Sequence, residues 1–300
     1  MLEKISTVLE FTKAFSLPTS ALFWLIIFTY TTIVAGHVLY GILSLVCTLI
    51  LQFSINILKN YFEYKFALNN LKKNNPEIKD KKYKKLAYCY SRVSNMLIFA
   101  IIGTLIVGAL CTFFYIKCGT SFAYIIYSGI ILSLLDIFCN KIKYLELIPA
   151  IFYSILLFNA TYYVMTKTYS SDVLLLSLPY LFLSASYIYI CSINSYNNDL
   201  DNQISTIANS FNSQLDALVV LKFLFALTYI SPLFLCIFDI IDWQILCVWL
   251  TIPIAVKLYN SIKECSSEKI SDCKTQIINT KKLIFIYSLI SFIAIIFGTN

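Results

Sequence analysis

The chain has 300 residues, of which 59% are hydrophobic and only 13% are charged, and its formal net charge is +7. A soluble domain carries about 25% charged residues and separates its apolar residues by the period of a helix or strand. Here the apolar residues form repeated runs close to the roughly 20 residues that cross a bilayer. The composition excludes a soluble globular domain and predicts an all-α polytopic membrane protein, in which residues 1–300 form a single transmembrane domain.

The apolar runs are preceded by a short amphipathic segment, residues 1–14. As a helix it would place Leu2, Ile5 and Leu9 near one face and Lys4 on the other. This pattern predicts an interfacial helix, and a frayed terminus is the alternative. After it we predict nine transmembrane helices, which cover residues 15–35, 39–66, 93–115, 122–139, 145–166, 173–194, 218–238, 243–263 and 282–298.

The distribution of basic residues predicts the orientation of the chain in the membrane. Of the 23 lysine and arginine residues, only Lys117 and Lys167 lie in connections that follow odd-numbered spans. Because basic residues are retained in the cytosol, we expect the N-terminus inside and the C-terminus outside, in the plasma membrane of a prokaryote. The net charge is then a topology signal, so we expect the lipid bilayer, and no nucleic acid, as a partner.

A polar stripe closes the second predicted span. Gln52, Asn56, Asn60 and Glu63 fall at i, i+4, i+8 and i+11, so they share one helix face. Amides and carboxylates are costly in hydrocarbon and are usually functional there. The stripe therefore predicts a site where this helix meets water.

A second polar segment, residues 194–214, follows the sixth span and contains Asp199 and Asp201 among asparagines. On a helix, Asn194, Asn198 and Asp201 share one face. Two oxygen-rich faces at one membrane surface would suit a hard cation that bridges to a diphosphate, since Mg²⁺ prefers carboxylate and phosphate oxygens. The alternative is an ordinary solvated loop in an asparagine-rich protein.

Residues 52–65, QFSINILKNYFEYK, resemble the first aspartate-rich motif of the UbiA superfamily of intramembrane prenyltransferases, Gln-x-x-x-Asn-x-x-Asn-Asp-Tyr-x-Asp-Tyr-Lys. Three further segments, 12–17 (TKAFSL), 144–147 (YLEL) and 161–179 (TYYVMTKTYSSDVLLLSLP), are similar to other family segments in the same order. The closest resemblance is to the branch that prenylates 1,4-dihydroxy-2-naphthoate for menaquinone. It implies nine transmembrane helices, with the site carried by cytosolic loops after helices two and six, here residues 66–92 and 195–217.

The chain departs from the family pattern within both motifs. In the first, Lys59 stands where asparagine is usual, Asn60 replaces one aspartate and Glu63 replaces the other. In the second, Ser195 replaces the first aspartate and Asp199 retains the second. A shift of three residues would align asparagines there instead, so the register of the second motif stays open. In the first register, two of the four expected negative charges are missing.

The resemblance implies a reaction in which carboxylates hold Mg²⁺ on the diphosphate of a polyprenyl donor and the allylic bond ionises. An aromatic-lined cavity then shelters the carbocation until a small aromatic acceptor attacks it. The implied metal ligands are Asn60, Glu63 and Asp199, with Asn56, Ser195 and Asp201 as further candidates. We expect Lys13, Lys59 and Lys65 to bind the diphosphate. We also expect the substrate cavity to be lined by Gln52, Tyr61, Tyr162, Tyr163 and Asn194.

The sequence is compatible with three classes of function. The first is a prenyltransferase with a divergent metal site, in which Glu63 and Asp199 face each other across a cytosolic cavity. The second is a non-catalytic relative that binds an isoprenoid lipid or partners an active paralogue. The third is an unrelated transporter or a membrane-embedded accessory protein. It is the least favoured class, because transporters usually contain helices broken by Gly and Pro and this chain has only seven glycines.

Overall fold

The computed structural model describes residues 17–34, 36–74, 81–138, 147–201, 206–267 and 274–298, and the regular structure in these ranges is entirely helical. The α-helices are α1 (Leu17–Ile33), α2 (Val38–Asn74), α3 (Lys81–Cys118), α4 (Phe122–Phe138), α5 (Ile148–Ile151), α6 (Leu157–Thr166), α7 (Ser171–Asp201), α8 (Gln214–Ile237), α9 (Ile252–Ser267) and α10 (Lys274–Gly298). A π-helical turn, Phe152–Leu156, joins α5 to α6, and 3₁₀ segments cover Ala208–Ser210 and Trp243–Thr251. The predicted all-α class is confirmed.

Each predicted span contains helix in its described part, but the spans differ in length. Within the described ranges, six helical segments are long and apolar enough to cross a membrane, whereas Leu17–Ile33 and Phe122–Phe138 are shorter apolar helices. The fifth span is divided between α5, the π-helical turn and α6. The chain is therefore an integral membrane protein by composition and fold, and the number of nine crossings stays a prediction.

The segments predicted as loops, 66–92 and 195–217, are largely helical where the structure describes them. Helix α2 continues to Asn74, α3 already begins at Lys81, and α7 continues to Asp201. The prediction ended each helix where hydropathy falls. Polar residues such as lysine and glutamate are good helix formers in water, so the fall in hydropathy marks the edge of the membrane and not the end of the helix.

The core is divided among several clusters of buried side chains. Helices α2 and α3 pack along each other through Ile57, Val93 and Ala100. On the other side of the molecule, α7, α8, α9 and α10 enclose a cluster that includes Tyr189 and Leu221. Helices α1 and α6 lie between these groups and contribute to the largest cluster, together with α7 and α10. The two polar motifs are thus carried by different groups of helices.

Gly41, near the beginning of α2, allows α1, α2 and α6 to approach closely. A methyl group built on Gly41 would lie 2.6 Å from Cδ2 of Phe28 and 2.8 Å from Sδ of Met165. Across the same contact, the indole N–H of Trp24 donates to the Gly41 carbonyl oxygen at 3.1 Å and to Ser44 Oγ at 3.0 Å. The contact fixes the beginning of α2 against the centre of the bundle.

Gly41→Ala is expected to destabilise the protein by about 1–3 kcal/mol, because extra atoms in a closely packed contact force neighbouring side chains to move. Gly108→Ala is the matched control, since Gly108 lies on the exposed face of α3 with nothing within 4 Å of the added methyl group. The control should stabilise α3 slightly, because alanine is the better helix former. Unfolding in mixed detergent micelles measures both, and equal stability of the two variants would contradict the prediction.

Candidate functional site

The polar stripe of α2 is buried within the bundle as the helix approaches its polar end. Gln52, Asn56 and Asn60 are 0%, 4% and 5% exposed, and Glu63, one turn further along, is half-buried. Their spacing places all four on one side of α2. The structure therefore brings the four first-motif residues together along a single, mostly buried helix face.

Lys59 lies on the same face as the stripe, seven residues or two turns after Gln52. Its ammonium donates to Oδ1 of Asp136 in α4 at 2.7 Å, and the two side chains are only 12% and 6% exposed. This ion pair joins α2 to α4. Lys59, predicted to bind diphosphate, is thus held by a carboxylate from a neighbouring helix.

Asp136 was not among the predicted site residues, although its position in the sequence indicates a buried, paired charge. Asp136 is the only charged residue in the span predicted at residues 122–139. A charged side chain inside an apolar helix is costly, and it usually faces the bundle interior and pairs with an opposite charge. Applied to the fourth span, this rule predicts a basic partner for Asp136 on an adjacent helix.

Tyr61 and Lys65 lie on the side of α2 that faces α3, away from the stripe. The Tyr61 ring stacks on Tyr90 of α3, with centroids 5.4 Å apart, and the Tyr90 hydroxyl donates to the Tyr61 hydroxyl at 3.3 Å. The ammonium of Lys65 lies 5.6 Å from the centre of the Tyr61 ring. The structure brings these two predicted residues together, but it does not bring them to the polar stripe.

The second motif lies at the end of α7. The Ser195 hydroxyl donates to Oδ2 of Asp199 at 2.5 Å, one helical turn further along. Burial raises the pKa of the Asp199 carboxyl from its ordinary value, and the hydrogen bond from Ser195 opposes that shift. Asn194 is half-buried in the preceding turn, whereas the side chain of Asp201 lies outside the part that the structure describes.

The end of α7 is fixed by hydrogen bonds to the chain that leads into α8. The Tyr196 hydroxyl donates to the Phe211 carbonyl oxygen at 2.8 Å, and Gln214 Nε2 donates to the Ile193 carbonyl oxygen at 2.8 Å. In the same connection, Thr206 and Asn209 exchange side-chain and backbone hydrogen bonds. These hydrogen bonds therefore hold in place the end of α7, which carries Asp199.

The two tyrosines predicted to line the substrate cavity belong to the packed core. Tyr162 is 9% exposed within the cluster between α1 and α7. Tyr163 is 3% exposed, stacks on Phe122 and donates to the Cys118 carbonyl oxygen at 3.3 Å. Tyr163 belongs to a second cluster, which receives the beginning of α2 through Tyr40. At about 1.5 Å per residue, that is about 35 Å along α2 from Glu63, so the structure does not bring Tyr163 to the stripe.

The two motifs offer few charged ligands to the Mg²⁺ that the family resemblance implies. In the described part of the chain, no group of three or more His, Cys, Asp or Glu side chains could hold an ion. The described carboxylates of the two motifs are Glu63 and Asp199, and the remaining candidates, Asn56, Asn60 and Ser195, are neutral. Mg²⁺ is often held by one or two carboxylates together with substrate phosphates. In number and type, these donors suit one such ion and not a four-carboxylate site. Lys13 lies outside the described residues.

No protein-family model and no curated protein matches the chain, whereas solved structures do. The fold is similar to that of a digeranylgeranylglyceryl phosphate synthase in membranes, with a TM-score of 0.55 and 15% identity over 99% of both chains. It is also similar to a UbiA homolog from Archaeoglobus fulgidus bound to Cd²⁺, with a TM-score of 0.54 and 12% identity over 96% of this chain and 99% of that one. At these identities the comparison shows a shared UbiA-like fold.

Proposed function

We propose that this protein is an intramembrane prenyltransferase, which transfers a polyprenyl group from its diphosphate to a small aromatic acceptor of the quinone-precursor type. The observation that carries the proposal is the buried polar face of α2. Asn56, Asn60 and Glu63 lie there, where the apolar part of α2 ends, in a fold shared with a digeranylgeranylglyceryl phosphate synthase and with a UbiA homolog. The resemblance of residues 52–65 to the first family motif supports the same conclusion.

Glu63 and Asp199 are the carboxylates that we assign to Mg²⁺, at the polar ends of α2 and α7. When bound, the ion would neutralise charge on the diphosphate and so make it a better leaving group. The amides of Asn56 and Asn60 can donate N–H groups to diphosphate oxygens or offer neutral oxygens to the cation. The Ser195 hydroxyl orients the Asp199 carboxylate, because it hydrogen-bonds one of its two oxygens.

The proposed chemistry breaks the allylic C–O bond, and the electron pair leaves with the diphosphate. The allylic cation then forms a C–C bond with a ring carbon of the acceptor, which loses a proton to restore its aromaticity. The protein has to keep water away from the cation during this step. The apolar bundle around the stripe would exclude water, and phenylalanine and tyrosine rings can stabilise positive charge through cation–π contacts.

We place the site at the cytosolic face of a prokaryotic plasma membrane, with the N-terminus inside and the C-terminus outside. Support for this orientation comes from the basic residues near the polar ends of α2 and α9. An acceptor of the dihydroxynaphthoate type would reach the site from the cytosol, while the polyprenyl chain would remain in the bilayer. The polar acceptor and the apolar polyprenyl chain would thus meet at the membrane surface.

The test is turnover by purified full-length protein in neutral-lipid nanodiscs. With Mg²⁺, tritiated geranylgeranyl diphosphate and 1,4-dihydroxy-2-naphthoate, we expect release of diphosphate together with an acceptor-linked tritiated product. Omission of the acceptor should strongly slow release, and EDTA should abolish turnover. Absence of release with donors of several chain lengths and several phenolic acceptors would contradict the enzymatic function.

A second candidate function is non-catalytic binding of an isoprenoid lipid, alone or beside an active paralogue. The observation that favours it is the small number of carboxylates, since the described residues hold no acidic cluster that could bind a metal ion by itself. Saturable binding of geranylgeranyl diphosphate without turnover in the assay above would select this function over the enzymatic one.

A further inference from the structure

The ion pair between Lys59 and Asp136 has no assigned part in the proposed chemistry. The two side chains are almost completely buried, with 2.7 Å between Nζ and Oδ1. Beside them, the rings of Phe62 and Phe138 lie 5.1 Å apart, so the polar end of α4 is held firmly against α2. A buried ion pair is often no more stabilising than apolar residues of the same volume. Fold stability alone therefore does not explain why these charges lie here.

The position of Lys59 relates the pair to the candidate site. Lys59 immediately precedes Asn60 and lies one helical turn before Glu63 on the same side of α2. An ammonium has three N–H donors, and the Asp136 carboxylate accepts one of them. The geometry thus leaves the ammonium with the capacity to donate to an anion at the stripe while it remains anchored to α4.

The charges of the first motif also favour a contact between Lys59 and the diphosphate. Where the family resemblance implies an asparagine followed by an aspartate, this chain has Lys59 followed by Asn60. The motif has therefore lost a negative charge that would attract a metal ion and has gained a positive charge that attracts the diphosphate directly. Asp136 holds that positive charge in a buried position, where a lone ammonium would be strongly unfavourable.

We propose that Asp136 is a positioning residue that holds the Lys59 ammonium as a built-in cation for the diphosphate of the prenyl donor. The fixed ammonium supplies part of the positive charge that a fuller set of aspartates would recruit as metal ions. This inference rests on the proposed function, because it concerns the same diphosphate. Asp136 does not contact the diphosphate and acts only through the orientation of Lys59.

The experiment compares two ligands that share a hydrocarbon chain and differ in charge. Full-length protein in neutral-lipid nanodiscs is titrated with tritiated geranylgeranyl diphosphate and, separately, with tritiated geranylgeraniol, in Mg²⁺ and in EDTA. We expect EDTA to weaken diphosphate binding by less than about tenfold, since the ammonium remains. Lys59→Met should weaken it in EDTA by at least about tenfold, the loss expected for a hydrogen bond between charged groups, and should leave geranylgeraniol binding unchanged. Lys263→Met, at an exposed lysine of α9, is the matched control.

Asp136→Asn distinguishes a positioning role from a merely structural one. It should weaken diphosphate binding in the wild-type background and cause no further loss in the Lys59→Met background, because its effect passes through Lys59. The double variant Lys59→Met/Asp136→Asn carries no buried charge, so it keeps the test valid if Lys59→Met alone fails to fold.

Three results would overturn the roles of Lys59 and Asp136 and leave the proposed function standing. They are an equal loss of affinity for the diphosphate and the alcohol, losses of diphosphate affinity that multiply in the double variant, or unchanged diphosphate binding in Lys59→Met. Wild-type protein that binds neither ligand in either buffer would overturn the proposed function as well. The two failures are therefore distinguishable.

Discussion

Asp199→Asn is expected to lower diphosphate release by at least about 100-fold, while the protein stays folded. Loss of a residue that only orients a metal ligand typically costs about 10–100-fold in metal affinity or activity, and loss of a ligand's charge should cost more. Asparagine has nearly the same shape and keeps an oxygen that can accept the hydrogen bond from Ser195. Initial rates of diphosphate release across a Mg²⁺ titration measure the effect, and part of the loss should be recovered at high Mg²⁺.

The matched control for this prediction is Asp172→Asn on the same helix. Asp172 lies in the first turn of α7, exposed and almost the full length of the helix from Asp199. The control should retain the wild-type rate, because it makes the same chemical change far from the motif. If the two variants lost activity equally, or if Asp199→Asn retained the wild-type rate, Asp199 would not be the proposed ligand. Glu63→Gln should behave like Asp199→Asn.

Lys59→Met is expected to lower the free energy of unfolding by about 3–5 kcal/mol, because it leaves the carboxylate of Asp136 buried without its cation. The double variant Lys59→Met/Asp136→Asn should recover most of that loss, since neither remaining side chain carries a charge. The stability measurement is independent of ligand binding. Unfolding of purified protein in mixed micelles, followed by circular dichroism, gives both values.

The control for the stability measurement is again Lys263→Met, which removes an exposed charge and should change stability by about 0.5 kcal/mol or less. A double variant as unstable as Lys59→Met alone would mean that the methionine does not fit between α2 and α4. In that case the stability loss would report on packing and not on an unpaired charge.

Hydropathy and loop charge predicted the helical class well, because a bilayer imposes the same length requirement on every crossing helix. They did not predict where the helices end beyond the membrane surface. Lys81 and Asp201 are far more polar than a membrane core allows, yet both belong to helices, since water tolerates a helix as readily as a loop. Helix ends at a membrane surface depend on capping and tertiary contacts, which a hydropathy window does not detect.

For the site, helical spacing correctly grouped Gln52, Asn56 and Asn60 on one buried face, because periodicity within one helix is a local property. Spacing could not show that Tyr61 faces α3 or that Lys59 meets Asp136, because both depend on which helices are neighbours. The prediction for Tyr163 rested on a resemblance of sequence segments alone. The structure shows that this ring packs at the opposite end of α2.

The candidate site also depends on the close contact at Gly41. Both belong to α2, a single continuous helix, and they are about 33 Å apart at about 1.5 Å per residue. Over that length, a tilt of α2 by about 3° at Gly41 would move Glu63 by about 1.7 Å. Because a displacement of about 1 Å can cost about 100-fold in rate, the packing of Phe28 and Met165 against Gly41 would control the geometry of the candidate site further along α2.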